Sequence, residues 1–354
     1  MRYRHAMLLA LLISLLLSSG VRAQLSPYAA TLTWLRQYQQ PDGGFTNGLT
    51  AGSDLLVTAE VIRAIVAVGQ DPTGWTTEGG ATPLTYLRDR LSAGEGHEVT
   101  LLVHLIPALI AAGEDPRSFA DRDLIAELLA QQQALTYQMG ASLLDHALAV
   151  QALQSAQEPV PPEALILLLS RQASNGGWGA SGASTPETTD VHTTAQALLA
   201  LVRAGETDCV PAALAYLHQA QNPDGGFPWR PGAGKLEGET ETHATAFVLM
   251  ALASLASPLS EWQTAQGDPI AALRGLYQAP AFYWRASVPT PNILATAYAL
   301  QALTAWHEVE ALSGFGGAGA VLPRTGLDGQ ALRGPGLVLL IFGLSLYRVT
   351  RRKV

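Results

Sequence analysis

Gln172-Ala173-Ser174-Asn175-Gly176-Gly177-Trp178 decides the fold, because the chain writes it three times. Gln39-Gln40-Pro41-Asp42-Gly43-Gly44-Phe45 and Gln221-Asn222-Pro223-Asp224-Gly225-Gly226-Phe227 fit the same pattern, Gln-x-x-Asp/Asn-Gly-Gly-aromatic. Self-similarity of this kind is the signature of repeat architectures. Each copy follows an amphipathic run and precedes a small-residue helix. The chemistry is that of a helix stop: Asp or Asn turns the chain, the paired glycines supply positive φ beyond the helix end, and the aromatic plugs back onto the core.

Outward from these corners, the following helices align on a Thr-Ala pair: Thr58-Ala59, Thr194-Ala195, Thr245-Ala246 and Thr296-Ala297. The last three are spaced 51 and 51 residues, and the 136 residues between the first two leave room for two degenerate units, with helical runs at Glu98 to Ala112 and Ser142 to Ser155. That makes six units. A second helix precedes each: Pro27 to Gln39, Pro83 to Ser92, Phe119 to Gln133, Pro162 to Ala173, Val210 to Gln221 and Pro269 to Gln278. Many open with proline in the first turn, where its missing N–H costs nothing. The Thr-Ala helices are apolar nearly all round, as a buried inner barrel requires, whereas the preceding helices carry Arg36, Arg88, Arg90, Glu127 and Arg171 and read as an outer wall. The expected fold is all-α, a single (α/α)6 ring of six helical hairpins over residues 24–307.

The Gln-x-x-Asp-Gly-Gly-Phe/Trp repeat resembles that shared by squalene and hopene cyclases and protein prenyltransferase β subunits, the α/α toroids of the terpenoid cyclase and protein prenyltransferase superfamily (prenyltransferase and squalene oxidase repeat proteins). The resemblance covers roughly Gln24 to Trp306. It speaks for the fold more than for an activity, since one toroid hosts several unrelated functions.

Inner helices of such a ring point one end into a central cavity, so polar residues at their starts are the candidate site. Four positions before the Thr-Ala pair lie Asp54, Asp190, Glu241 and Asn292; two positions before it lie Leu56, His192, His243 and Leu294. Adjacent units therefore carry Asp190-Val191-His192 and Glu241-Thr242-His243. Capping explains an acid at a helix start but does not call for the histidine. Asp190 and Glu241 are the catalytic candidates, and His192, His243 and Asp190 the metal candidates. The resemblance implies Zn²⁺ for a prenyltransferase, held by Asp, Cys and His; Asp190 and His192 fall where its Asp-x-Cys pair would, and His243 where the later histidine would. Cys209, the single cysteine, lies at the start of an outer helix and does not match. The Asp-x-Asp-Asp acid of triterpene cyclases is absent, as is the Gly-Cys-x-Glu-Gln run of a thioester toroid. Glycan-cleaving (α/α)6 barrels need two carboxylates, which Asp190 and Glu241 supply in kind. Corrinoid-carrying toroids add a second domain that has no counterpart here.

The two ends set a location. Arg2, Arg4 and His5, the apolar run Ala6 to Leu17 and the Val21-Arg22-Ala23 site read as a secretory signal over residues 1–23. At the other end Leu322-Pro323-Arg324-Thr325-Gly326, an apolar stretch 334–347 and a basic tail resemble an LPxTG-type sortase signal, in which Leu322, Pro323, Thr325 and Gly326 are read by the transpeptidase and the apolar segment holds the precursor in the membrane. A glycine-rich tether is expected over 308–321. The formal charge is −8, and removing Arg2, Arg4 and Arg22 with the leader and five cations against one anion after Thr325 takes it to −15. An acidic body has no electrostatic route to nucleic acid. The expected protein is thus exported and surface-anchored, binding a small ligand or a cell-surface partner without catalysis. The alternative is a metal-dependent or acid–base enzyme using Asp190, His192, Glu241 and His243.

Overall fold

The computed structural model describes residues 28–49, 51–133, 138–232 and 238–313. The expected leader and the Leu322 to Gly326 sorting residues lie outside them. Among the described residues twelve α-helices alternate between an outer and an inner layer: α1 (Ala29–Arg36) and α2 (Leu55–Ala67), α3 (Pro83–Ser92) and α4 (Val99–Ala111), α5 (Leu124–Ala130) and α6 (Leu143–Ser155), α7 (Pro162–Ser170) and α8 (Val191–Arg203), α9 (Val210–Ala220) and α10 (Thr242–Ser254), α11 (Pro269–Gly275) and α12 (Ile293–Ser313). Each inner helix packs on the next, α2 on α4 through to α10 on α12, and α12 returns to α2. The six inner helices therefore form a closed ring, with the outer helices set against its outside. No helix among the described residues is long and apolar enough to cross a membrane.

The corner motif builds the joints. The side-chain amide of Gln172 donates to Gly176 O at 2.9 Å, within its own corner, and to Cys209 O at 3.0 Å, in the next unit. Gln39 and Gln221 do the same with Gly43 and Trp75, and with Gly225 and Trp262. Asp42, Asn175 and Asp224 each accept the N–H two residues on, from Gly44, Gly177 and Gly226. The aromatics Phe45, Trp178 and Phe227 are fully buried. Their N–H groups donate to Thr58, Thr194 and Thr245 at 2.9, 2.9 and 3.0 Å, which explains the threonine of every Thr-Ala pair. A buried backbone donor needs a partner, and the inner helix supplies it from a side chain.

Positive φ falls on the first glycine of each pair only, 90° at Gly43, Gly176 and Gly225. The second is required for space instead: a Cβ on Gly177 would stand 2.9 Å from the Tyr216 ring. The sixth unit departs from an all-α chain. Between α11 and α12 the strands β1 (Tyr277–Gln278), β2 (Ala281–Arg285) and β3 (Val288–Pro291) form a small antiparallel sheet. Phe282 on β2 takes the aromatic's place, donating to Thr296 at 3.1 Å, so the joint survives without Gly-Gly. Two further boundaries move. The run from Phe119 opens with a 3-10 turn, Phe119–Asp121, and becomes α-helical only at Leu124, because Ala120 and Asp121 hold positive φ and Asp123 caps the helix behind them. At the other end α12 extends to Ser313, six residues into the expected tether.

Apolar burial follows the two layers. One core cluster links all the units, and a smaller one at the seam gathers Leu35, Phe45, Ile65, Trp75, Ile293 and Leu300 from the first and last hairpins. With each fully buried leucine or isoleucine contributing about 1.5–3 kcal/mol, the ring is held by packing, and the lone Cys209 forms no disulfide.

Candidate functional site

All six inner helices begin with a polar residue at the same register; Glu98 and Glu241 make no side-chain cap, and the other four cap their helices, Ser142 by accepting from Asp145 N at 3.0 Å. Asp54 accepts from Val57 N at 3.0 Å, Asp190 from Thr193 N at 2.7 Å and Asn292 from Ala295 N at 2.8 Å. Glu241, at the start of α10, makes no side-chain cap. Its carboxylate turns back one unit: Oε1 lies 2.5 Å from Nε2 of His192 on α8, while Oε2 accepts from Nε1 of Trp284 at 2.8 Å and from Arg285 at 3.1 Å. Trp284 and Arg285 come from β2, which is bridged to Glu241 through the Glu241–Arg285 backbone pair.

Glu241 is 1% exposed. Burial by itself would raise its carboxyl, but the His192 hydrogen bond and the charges of His192, His243 and Arg285 outweigh that and hold it below the usual carboxylate range. Ionised Glu241 can only accept, so Nε2–H of His192 is the donor in this hydrogen bond. The other nitrogen, Nδ1, has no hydrogen-bond partner among the described residues, and the side chain keeps 17% of its surface. Around it stand Phe247 at 5.3 Å, His243 at 6.2 Å and Trp229 at 6.4 Å between ring centroids. His243 packs edge-on to Tyr298 and its Nε2 is buried without a partner. Burial first, and then the charges of His192 and Arg285, push its pKa down to about 4, against the pull of Glu241 and Glu60.

A second polar group lies deeper, where spacing alone did not place it. Glu60 on α2 is fully buried and accepts from Arg63 at 2.9 Å, meets Nδ1 of His104 on α4 at 2.7 Å and accepts from Gln301 on α12 at 2.9 Å. Burial raises its carboxyl, yet Arg63, His104 and Gln301 together bring it to about 2. Its charge reaches His243 and Tyr298, and that of Arg63 reaches Arg203 on α8. Helices α2 and α8 are not neighbours, so these fields act across the interior of the ring. Glu60, His104, Phe247 and Tyr298 share one register, two residues beyond the Thr-Ala threonine or its equivalent, and that offset is the signal by which the sequence marks this belt.

Asp190 stands apart. Its Oδ1 is used by Thr193 N and its Oδ2 by the Thr193 hydroxyl at 2.9 Å and Ala180 N at 3.2 Å. It caps α8, and both its oxygens are engaged by donors of its own unit. No group of three or more His, Cys, Asp or Glu among the described residues has the arrangement for a metal ion.

No protein-family model and no curated protein matches the chain. Solved structures do. The type II terpene cyclase MstE from Scytonema superposes with a TM-score of 0.55 at 16% identity, covering 79% of this chain and 97% of that one. Candida albicans protein geranylgeranyltransferase-I complexed with GGPP gives 0.53 at 13%, covering 72% and 84%. A protein from Actinoplanes gives 0.53 at 17%, covering 77% and 97%. The fold is an α/α toroid. At these identities the likeness extends to the toroid itself and leaves the chemistry to the residues within it.

Proposed function

We propose that this toroid is an acid–base enzyme that works in the interior of its ring, with His192 as the group that takes and returns a proton. The observation that carries it is Glu241, which leaves its own helix uncapped and holds a histidine of the neighbouring unit at 2.5 Å. A carboxylate on Nε2 fixes the ring's orientation and leaves the lone pair on Nδ1, which is the polarity of a general base. Alkene protonation, which the cyclase resemblance implies, asks for a neutral carboxylic acid, and both Glu241 and Glu60 are held ionised. Base chemistry therefore fits better. Phe247, Trp229 and Tyr298 offer aromatic walls beside it, suited to a small substrate with an apolar or unsaturated body and an acidic C–H or O–H at its reacting end. That MstE is described with geranylgeranyl dihydroxybenzoate, and the Candida enzyme with GGPP, supports an apolar chain of this kind.

The test is to incubate the purified protein with a small-metabolite extract and follow conversion by untargeted mass spectrometry. A product should form with the wild type and fall about 10²–10⁴-fold with His192→Ala. A molecule that is bound and released unchanged would sink the enzymatic reading in favour of ligand capture, and equal turnover by His192→Ala would remove His192 from the chemistry. We also propose that the protein acts outside the cell, attached through Thr325, on the strength of the leader and the Leu322 to Gly326 residues.

A further inference from the structure

Outside the ring interior, a cavity of about 370 Å³ opens at the seam between the first and last hairpins, bounded by α1, α11, β1, β2 and the C-terminal half of α12. That volume is within the range of small-molecule sites. Ile270, Tyr277, Phe282 and Leu303 make most of its wall apolar. Two groups in the wall are placed to meet a ligand. The indole N–H of Trp306, a residue 3% exposed, is buried with no acceptor. The exposed guanidinium of Arg274 has no ion pair or hydrogen bond among the described residues, although its charge is felt by the Tyr28 hydroxyl across the same cavity. A buried donor without a partner is costly, and Arg274 sets a cation at the rim of the same apolar hollow.

We propose that this seam cavity binds a monocarboxylate with an apolar body. The carboxylate would meet Arg274, the body would lie against Phe282 and Leu303, and a ligand oxygen would take the Trp306 N–H. One cation supports one negative charge, and the apolar wall disfavours a small hydrated anion such as phosphate. Nothing in this site touches His192 or Glu241, so it stands or falls independently of the ring chemistry.

Titration calorimetry with decanoate and with decanol tests it. Decanoate should bind at least about tenfold more tightly than decanol; Arg274→Gln should remove that preference while leaving decanol binding unchanged. Trp306→Phe, which keeps an aromatic ring but loses the donor, should weaken decanoate, and His192→Ala should leave it unaltered. Equal affinity for acid and alcohol, or Arg274→Gln that binds decanoate as well as the wild type, overturns the proposal, as does absence of decanoate binding. Loss of binding in His192→Ala would place the ligand in the ring interior and overturn it too.

Discussion

Asp190 and Glu241 begin neighbouring helices at one register and differ by a single methylene. The shorter side chain reaches its own Thr193 N–H, while the longer one spans to the next helix and finds His192. Glu241→Asp should accordingly revert to a cap: stability is kept or rises by about 0.5–1 kcal/mol, seen by denaturant unfolding, while conversion falls as it does for His192→Ala. A variant that stays fully active would show that the His192 contact is incidental. The duplicated acid–histidine pair was legible in the sequence, and so were the caps Asp54 and Asn292. What spacing cannot express is reach, so the division of labour between Asp190 and Glu241 required coordinates. His243 carries a second expectation. Its pKa is about 4 in the folded chain against an ordinary 6.5, so between these values the unfolded chain binds a proton that the folded chain refuses. Stability is therefore unaffected above pH 6.5 and declines as pH falls toward 4, by about 3 kcal/mol. Glu60 adds a loss below 4.5, as pH falls toward its folded value of about 2. Melting temperatures across pH 2–8 should show both declines, and His243→Gln should flatten the upper one without touching the lower; identical profiles would mean that His243 titrates freely.

Among the elements, the corner is where the repeat earns its conservation of form within this one chain. Gly176 has φ 90°, and a Cβ there would stand 2.0 Å from the carbonyl oxygen of Ala212 in α9. Gly205 has φ 86° with nothing near its added Cβ. Both Gly176→Ala and Gly205→Ala bear the cost of left-handed backbone, about 1 kcal/mol, and Gly176→Ala should cost roughly 2–3 kcal/mol because α9 must also retreat. Equal losses in urea unfolding would mean that α9 gives way freely. The three Gly-Gly corners could be read directly because glycine, Asn/Asp and the aromatic each have a local reason to be there. The sixth joint could not. Its Phe282 is placed by strand pairing between residues that are not periodic, and sheet formation depends on cross-strand neighbours more than on local preference. The grouping of Glu60, His104 and Gln301 was hidden for a related cause: the three lie on separate helices far apart in the sequence, and only the closed ring brings them together.

For the molecule as a whole, counting Thr-Ala pairs and filling the gap with two degenerate units yielded six hairpins, and six are present among the described residues. The prediction at this scale concerns attachment. If Thr325 is the envelope linkage, replacing Thr325 and Gly326 should release the protein to the medium or leave it extractable by detergent, as followed by cell fractionation; a variant still covalently attached to envelope material would refute the sorting signal. The seam has a further consequence. Gln301 and Glu60, 241 residues apart, meet where α12 closes on α2, and the first and last hairpins share one apolar cluster. During synthesis the earliest hairpin must wait for the latest before its flank is covered, a long-range closure that slows folding and leaves apolar surface open to aggregation. A nascent chain of this design has no finished fragment to offer, and a message truncated before the last hairpin would yield an open arc with two uncovered edges, suited to a chaperone or a protease and not to service.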